Sequence, residues 1–454
     1  MFKNINAGLI ASRGTFLTDR NRLLYTRLIT NSTGEQFYSS VTGYVYHVFK
    51  EPGSFDIHTR GPVDIMLVGG GGGGGGISHT LDSNVSEGAG GGGAGGVRYY
   101  YNKVMPVGTY DVYVGTGGAA GQPGATTGNE ESATARDGRG GRGGMSRIHH
   151  THSDLYGTYA NIPSSTPDAE AYLMEDGSIT RAGTTFFKEW GTRYNYPGIL
   201  RDYPYQTMRA VPGSPSYTYT LTAYGGGGGG YSLHEPPYGY PSTSQSTIPL
   251  AYYGGYGGSA GGGGNQFNTD VAVGVEPGAD PNGGREIFPT DPPEGNLGGS
   301  AYKPHNGGPG RNGGGGGGGA GGVGQPGSTT FGSGQGGIGV AAFGGDTGIP
   351  GEYGTPGPPA SPNTRWFGGG GMGGDNGTTI GTDMDEFGWY GGGGLSLHGS
   401  SSYSQSGYYG RDGKANTGGG GAGARTYTPY NTQHIEGAGV GGSGIVMIRY
   451  QQSL

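Results

Sequence analysis

The chain has 454 residues, of which 113 are glycine and 28 are proline, and only 31% of its residues are hydrophobic. This composition is close to that of disordered chains, and it offers too few hydrophobic residues for several conventional cores. The net charge of -7, with basic residues scattered among acids, disfavours nucleic-acid binding, and the lack of cysteine excludes disulfides and cysteine metal sites.

Residues 1–43 have an ordinary composition, and we interpret them as an N-terminal attachment segment. Residues 1–6 lack the basic and then apolar order of a secretory signal, and no apolar run in the sequence reaches the length of a membrane span. We therefore expect a protein without membrane insertion that is made in a cytoplasm, is not exported, and reaches the exterior by cell lysis.

Clusters of β-branched and aromatic residues, bounded by turn residues, predict strands at the start and at the end of residues 44–450. The predicted strands are Tyr44–Phe49, Ser54–His58, Val63–Val68, Val97–Tyr101, Thr109–Val114 and 444–450. Because the last strand is far along the chain from the others, we predict that it returns to pair with them. The result is a small antiparallel β-sandwich scaffold formed by residues 44–68, 97–116 and 444–450.

Residues 69–96 and 117–443 alternate glycine tracts with loops rich in Tyr, Ser, Thr, Asn and Pro. The tracts are 69–76, 88–96, 138–144, 225–230, 254–264, 313–322, 332–345, 368–374, 391–394, 418–423 and 437–444. A motif that begins Gly-Gln-Pro-Gly and ends in two threonines occurs at 121–127 and at 324–330, which indicates duplicated turn chemistry. Flexible linkers are the alternative interpretation, but linkers rarely alternate with tyrosine-rich loops or end in a strand.

A glycine tract can adopt an extended left-handed helix with three residues per turn, a rise of about 3.1 Å per residue and no internal hydrogen bonds. Without Cβ atoms, neighbouring tracts approach closely enough for their N–H and C=O groups to bond between helices. One tract alone does not repay the entropy of its ordering, so a template is needed, and the strand Val63–Val68 runs directly into Gly69. We therefore predict a mostly irregular, all-β fold in which the sandwich carries a bundle of polyglycine II helices joined by long loops.

These features resemble the glycine-rich domains of phage tail-fibre and tip-adhesin proteins, which bind receptors. The resemblance covers residues 44–450 and rests on the segments 63–76, 92–97, 106–115 and 442–450. It implies a polyglycine bundle whose distal loops contact a host cell-surface receptor, either a carbohydrate or an outer-membrane protein. It also implies a place in the virion tail or fibre, extracellular after host lysis, and it is compatible with a homo-trimer. The inserted segment 149–224 is much longer than in compact tip adhesins.

The 34 tyrosines are the clearest sign of recognition, because a tyrosine offers a large rigid face and one hydroxyl at low entropic cost. The receptor-binding candidates are aromatic residues grouped in loops, namely Trp190, Tyr194, Tyr196, Tyr203, Tyr205, Trp389, Tyr390, Tyr408 and Tyr409. Stacking on sugar rings is one use for such residues. The alternative for any single tyrosine is that it covers the edge of a glycine helix with the apolar surface that glycine lacks.

Other chemistry has little support in the sequence. The segment 149–154 contains three histidines and an aspartate, but a solvated loop explains it better than a metal site does. Carboxylates that would have to form a glycosidase pair are scattered, and they are Glu170, Glu175, Asp176, Asp383, Asp385 and Glu386. Matches to Gly-x-Gly-x-x-Gly are expected by chance in such a chain. We therefore expect no metal, no cofactor and no enzymatic activity.

The leading hypothesis is a tail-fibre or tip adhesin whose residues 1–43 dock onto other virion tail or fibre proteins while the loops face the host. The alternative is a structural virion component, such as a baseplate, tail or capsid decoration protein, whose loops contact neighbouring subunits. An ice-binding or cell-wall glycine protein is disfavoured because strict repeats are absent from the sequence.

Overall fold

The structure of the protein is a computed structural model. It describes residues 28–59, 61–77, 88–105, 107–122, 138, 140–150, 172–173, 178–181, 184–187, 221–232, 254–255, 257–264, 294–301, 313–327, 333–374, 390–395, 412–427 and 434–451. Within these residues the regular structure consists of β-strands and one short 3-10 turn, Ala342–Gly344. The predicted all-β fold class is confirmed.

Two five-stranded sheets form the scaffold, and all their pairings are antiparallel. Sheet 1 has the order β1 (Ile29–Thr30), β4 (Gly53–Ile57), β7 (Gly108–Tyr113), β8 (Ser146–His150) and β12 (Leu221–Ala223). Sheet 2 has the order β2 (Glu35–Tyr38), β3 (Tyr44–Phe49), β18 (Ile445–Gln451), β5 (Pro62–Val68) and β6 (Val97–Val104). There are also three smaller sheets. The first contains β9 (Tyr172–Leu173), β10 (Ser178–Arg181) and β11 (Thr184–Phe187), and the second contains β13 (Val340–Ala341), β14 (Thr355–Pro356) and β15 (Arg365–Phe367). The third pairs β16 (Arg425–Tyr427) with β17 (His434–Glu436).

All six predicted strands are present, and the C-terminal strand returns to the early ones as expected. In β18, Ile448 pairs with His47 of β3 on one side and with Ile65 of β5 on the other. The sheets also contain β1, β2, β8 and β12, which the sequence analysis did not predict. Strands β1 and β2 lie within residues 1–43, so the sandwich begins before the boundary drawn at residue 43.

The two sheets enclose the main hydrophobic core. Strand β18 has residues on both faces of sheet 2. Val446, Ile448 and Tyr450 face the core between the sheets, whereas Ile445 and Met447 face the outer side of sheet 2. This alternation follows from the two-residue period of a strand. Because the outer side is also apolar, sheet 2 needs a cover on that face.

Residues 340–367, which include β13 to β15, form that cover. Phe343 and Tyr353 pack in one cluster with Tyr46 of sheet 2. A buried ionic group strengthens the contact, since Arg449 donates from Nε to Asp64 at 3.0 Å and also pairs with Asp346 of the cover. The hydroxyl of Tyr46 donates to Asp346 as well. Sheet 2 is therefore buried on both faces.

The glycine tracts form a parallel array of extended segments, which we call rods. They are numbered in chain order as rod 1 (69–76), rod 2 (88–96), rod 3 (114–122), rod 4 (140–145), rod 5 (224–231), rod 6 (259–264), rod 7 (294–301), rod 8 (313–319), rod 9 (323–327), rod 10 (333–339), rod 11 (368–374), rod 12 (390–395), rod 13 (418–424) and rod 14 (437–444). Their backbone bonds run between rods, as the polyglycine II geometry requires.

Rod 1 shows the three-residue period most clearly. The N–H groups of residues 69, 72 and 75 donate to rod 2, those of 70 and 73 to rod 4, and those of 71 and 74 to rod 14, at 2.8 to 3.0 Å. Its carbonyl groups accept from rods 3, 5 and 13, and they follow the same three-residue period. Rod 1 therefore bonds to six neighbours, and the predicted lateral bonding between glycine helices is confirmed.

Close approach of the backbones explains why these residues are glycine. A Cβ atom added to Gly73 would lie 1.9 Å from the carbonyl oxygen of Ala119, and one added to Gly74 would lie 1.9 Å from that of Ala422. Both neighbours are backbone atoms that are held by hydrogen bonds of their own. At positions such as 73 and 74, side chains are thus excluded by the distance that the hydrogen bonds require.

Replacement of Gly73 by alanine should disrupt the array. We expect Gly73→Ala to lower the free energy of unfolding by about 3 kcal/mol, because overpacking at a rigid backbone contact is strongly destabilising. Gly437→Ala is the matched control, since a Cβ atom there meets nothing within 4 Å. Denaturant unfolding of both variants measures the effect, and equal stabilities would contradict close contact between the rods.

His47 should make the sandwich sensitive to acid. Its ring is 1% exposed, stacks on Tyr450 with centroids 5.8 Å apart, and has no hydrogen-bond partner for either nitrogen among the described residues. Burial lowers the pKa of His47 to about 4. In the unfolded chain the imidazole takes up a proton below its usual pKa of about 6.5, whereas in the folded protein it does so only below about 4. The free energy of unfolding should therefore fall as pH drops from about 6.5 to about 4, by about 3 kcal/mol in all.

The variant His47→Phe keeps the stacking and cannot titrate, so its unfolding free energy should change much less over this pH range. His58→Phe is the control, because His58 is exposed. If the wild type and His47→Phe lost stability in parallel between those pH values, His47 would not be the group responsible.

Candidate functional site

The rods continue the strands, which fixes the orientation of the array on the sandwich. Strand β5 runs into rod 1, β7 into rod 3 and β12 into rod 5, while rods 2, 4 and 14 run into β6, β8 and β18. One end of the array is therefore the sandwich itself. The opposite end, which we call the far end, lies about 25 Å away for an eight-residue rod.

Several connections leave and re-enter the array at the far end. The flanking residues are Ile77 and Gly88, Gln122 and Gly138, Ala301 and Gly313, Gly327 and Ser333, and Tyr427 and His434. The chain also leaves the far end after Ser232, and it re-enters at Gly254 beside the middle of rod 5. Each connection is held at both ends by a rod that bonds to its neighbours. The array thus presents many separate chain segments from one surface.

A compact layer closes the far end. Ile77 packs with Ala89 and Ala424 in a small apolar cluster, and a parallel bridge joins Ile77 to Ser232. The side chain of Arg425 is buried, and its backbone bridges Gly88. The connections therefore start from ordered and buried residues.

The other end of the molecule, which we call the sandwich end, carries a second set of chain segments. The chain leaves the sandwich after His150 and re-enters at Leu221, and these residues lie at the ends of β8 and β12 remote from the rods. The N-terminal segment enters at the same end, because Ile29 pairs with Ile57 at the remote end of β4. Segment 151–220 and the N-terminal segment are therefore anchored at the same end of sheet 1, where β8 and β12 lie three and four strands from β1.

Most of the predicted receptor-binding residues lie outside the described residues. Five of them belong to the segment anchored at the sandwich end, namely Trp190, Tyr194, Tyr196, Tyr203 and Tyr205. In the sequence, Trp389 directly precedes rod 12, and Tyr408 and Tyr409 lie between rods 12 and 13. The structure therefore brings none of these side chains together within the described part of the chain.

Tyr390 is described, and it is buried. It is 5% exposed, its carbonyl oxygen accepts the N–H of Gly339 at 2.7 Å, and its ring lies 6.1 Å from that of Trp366. This position, at the base of rod 12, matches the alternative in which a tyrosine covers the glycine rods. Tyr231 is also fully buried at the far end, where its ring lies against Gly138.

The described residues hold no cluster of histidine and acidic side chains that could bind a metal ion. The segment 151–154 and all the candidate glycosidase carboxylates lie outside them. No helix in the described part of the chain has the length and apolar character needed to cross a membrane.

A buried glutamate joins the sandwich to the array, and the sequence analysis missed it. Glu294 is 1% exposed, and its carboxylate accepts from Arg98 of β6 at 3.2 Å and from the N–H of Tyr224 at 2.8 Å. Its carbonyl oxygen accepts the N–H of Val97 at 3.0 Å. Burial raises the pKa of Glu294 to about 7, even though Arg98 and Tyr224 favour the charged form. A lone acid immediately before Gly295 was the only signal of this role.

Removal of this carboxylate should loosen the junction. We expect Glu294→Ala to lower the free energy of unfolding by about 3 kcal/mol, because it leaves Arg98 and the Tyr224 N–H without their buried acceptor. Amide exchange at Tyr224 should accelerate at the same time. Glu51→Ala is the control, since the side chain of Glu51 is exposed and its removal should change the free energy of unfolding by about 1 kcal/mol or less. Equal losses in both variants would contradict a special role for Glu294.

The glycine array agrees with a family model that matches the chain. A family model described as a glycine-rich domain matches residues 51–284, which is more than half of the chain. The matched region includes strands β4 to β8, strand β12 and rods 1 to 6. No curated protein matches the sequence significantly.

Proposed function

We propose that this chain, which belongs to the glycine-rich domain family, is a non-enzymatic adhesin of a phage tail fibre or fibre tip. In this proposal, loops displayed on the rigid polyglycine array bind a host cell-surface receptor, either a carbohydrate or an outer-membrane protein. The protein acts in the virion and is extracellular after host lysis. Its N-terminal segment docks onto other tail or fibre proteins.

One observation carries the proposal, namely the many connections that emerge together from the far end of the array. Binding proteins place variable loops on a rigid scaffold, because ordering loops on binding costs conformational entropy that a fixed scaffold reduces. The array meets this requirement with hydrogen bonds between rods in place of a large apolar core. Its far end is also the end remote from the point where the N-terminal segment enters.

The position of the N-terminus divides the candidate binding segments into two groups. If the N-terminal segment attaches to the virion, the far end faces outward and the segment 151–220 lies nearer the attachment point. We therefore propose that the far-end connections make the first contact with the receptor. The aromatic group of Trp190, Tyr194, Tyr196, Tyr203 and Tyr205 then contacts either the receptor at closer range or a neighbouring virion protein.

A structural virion component, such as a baseplate, tail or capsid decoration protein, is the second candidate. The segment 151–220 favours it, because a long aromatic segment anchored at the same end of the sandwich as the N-terminal segment is well placed for contact with a neighbouring subunit. The two candidates differ in whether the isolated protein recognises cells.

The test is binding of the labelled, purified full chain to bacteria that are susceptible to the phage. We expect saturable binding and competition with phage adsorption. Replacement of residues 78–87 and 123–137 by Gly-Ser segments of equal length should weaken binding about ten-fold or more, because few interface residues carry most of the affinity.

Two controls make the result specific. Val41→Ser changes an exposed residue of the β2–β3 turn and should leave binding unchanged. A chain in which a short turn replaces residues 151–220 tests whether binding occurs at the far end or at the sandwich end of the molecule. Loss of binding only in this second chain would refute the far end as the contact surface, and a wild-type chain that binds no cells would favour the structural component.

A further inference from the structure

The repeated Gly-Gln-Pro motif occurs in rods 3 and 9, which lie on opposite edges of the array. Residues 121 and 122 end the described part of rod 3, and Gly324, Gln325 and Pro326 form the middle of rod 9. The bonds between rods locate both edges. Around rod 1 its neighbours bond to one another in the ring order 2, 5, 4, 3, 14 and 13, so rod 3 lies directly across rod 1 from rod 2.

The same reasoning adds further rods to the straight line that rods 3, 1 and 2 form. Around rod 2 the ring order is 1, 5, 6, 8, 11 and 13, so rod 8 lies opposite rod 1. Around rod 8 the order is 2, 6, 7, 9, 10 and 11, so rod 9 lies opposite rod 2. Rods 3, 1, 2, 8 and 9 therefore form one straight row across the array, and rods 3 and 9 are its two ends.

This row has a polarity. Gly118 of rod 3 donates to rod 1, Gly72 of rod 1 to rod 2, Gly91 of rod 2 to rod 8, and Gly316 of rod 8 to rod 9, at 2.8 to 2.9 Å. Among the described bonds, none along this row runs in the opposite direction. Along the line of this row, rod 3 therefore presents carbonyl oxygens outward and rod 9 presents N–H groups.

The residues at these outer sides follow from the three-residue period. In rod 3 the carbonyl groups of 116 and 119 accept from rod 4 and that of 118 from rod 14, which leaves the carbonyl groups of Gly117 and Ala120 pointing away from rod 1. In rod 9 the N–H groups of 324 and 327 donate to rod 7 and that of 325 to rod 10. The outward N–H positions of rod 9 are therefore 323 and 326.

Polarity restricts how a second copy could add to the array. Along the line of this row, a two-fold contact between two copies of rod 3, or of rod 9, would set acceptors against acceptors or donors against donors, so it forms no backbone bonds in that direction. Addition of the donor edge of one copy to the acceptor edge of the next would form bonds, and it would continue without limit. This head-to-tail contact is the one that the lattice itself favours.

The donor edge is occupied by residues that prevent such a contact. Proline at 326 has no N–H group, and the exposed side chain of Val323 holds another backbone away from the remaining donor. We propose that Val323 and Pro326 close the donor end of this row against a second copy of this chain, and so prevent the glycine lattice from growing in that direction. Closing one end of the row is enough to stop growth along it, because a head-to-tail contact needs both ends. Proline blocks the edges of β-sheets for the same reason.

The test is sedimentation of the full chain over a range of concentrations. The wild type should show a mass that does not rise with concentration, whether it is a monomer or a closed oligomer. The variant with Val323→Ala and Pro326→Ala restores the donor and removes the branched side chain. Alanine fits inside the rods, since Ala89, Ala94 and Ala260 are fully buried. Its mass should rise about two-fold or more with concentration, reversibly on dilution.

Further variants identify the surfaces. Adding Thr116→Lys and Ala119→Lys, which place long charged side chains at exposed positions of rod 3, should abolish the growth. Pro359→Ala changes an exposed proline of the cover segment and should behave as the wild type. Within the growing species, the amide introduced at position 326 should exchange more slowly as concentration rises, which distinguishes lattice contact from aggregation of unfolded chain.

Three results would overturn the proposal. The first is a double alanine variant that stays folded and keeps the wild-type mass at every concentration. The second is open-ended growth of the wild type with Val323 and Pro326 in place. The third is growth of the double variant that persists after the lysine substitutions in rod 3.

Discussion

The whole structure depends on hydrogen bonding between backbones that carry no Cβ atoms. In a sheet or a helix each segment has partners in one plane or within itself, whereas rod 1 bonds to six different rods. Removing one rod would leave unpaired groups in every neighbour, and a buried unpaired group costs about 1 to 3 kcal/mol. The array is therefore cooperative in two dimensions, and this cooperativity compensates for the small hydrophobic fraction of the chain. It also explains why glycine, which is costly to order, is the residue required.

The sandwich supplies what the rods cannot supply themselves, which is register. Polyglycine has no side-chain pattern that would distinguish one alignment from another, so a tract slipped by three residues makes equivalent bonds. Strands that continue into rods remove this ambiguity, because Ile65, Met66 and Leu67 are fixed by the core before rod 1 begins. Glu294 performs a similar task for rod 7, which has no strand before it in the described chain, by bonding to β6 and to Tyr224.

Sequence reasoning recovered the parts of the fold that have a local signal. The six predicted strands have β-branched and aromatic residues, and the glycine tracts have a composition that allows only one kind of packing. The short strands β1, β2 and β12 carry too few residues for a two-residue pattern to be seen. The order of rods around rod 1 could not be predicted, because glycine tracts are chemically identical. Of the predicted binding residues, only Tyr390 lies in the described chain, and its burial depends on Trp366 and on the course of rod 12, neither of which the sequence specifies.

Fixed rods and long connections are compatible for a thermodynamic reason. A connection whose two ends are held by the array pays a closure entropy that rises only slowly with its length, by about 0.6 kcal/mol per doubling. The rods are insensitive to what joins them, provided that Ile77, Ala89 and Ala424 still close the far end. The requirement for glycine at close contacts inside the array and the freedom in the connections thus both arise because the rods, and not the connections, make the bonds of the lattice. A chain built in this way can change the segments at the far end without changing the lattice that holds them, and the polarity of the central row then limits only how one array meets another.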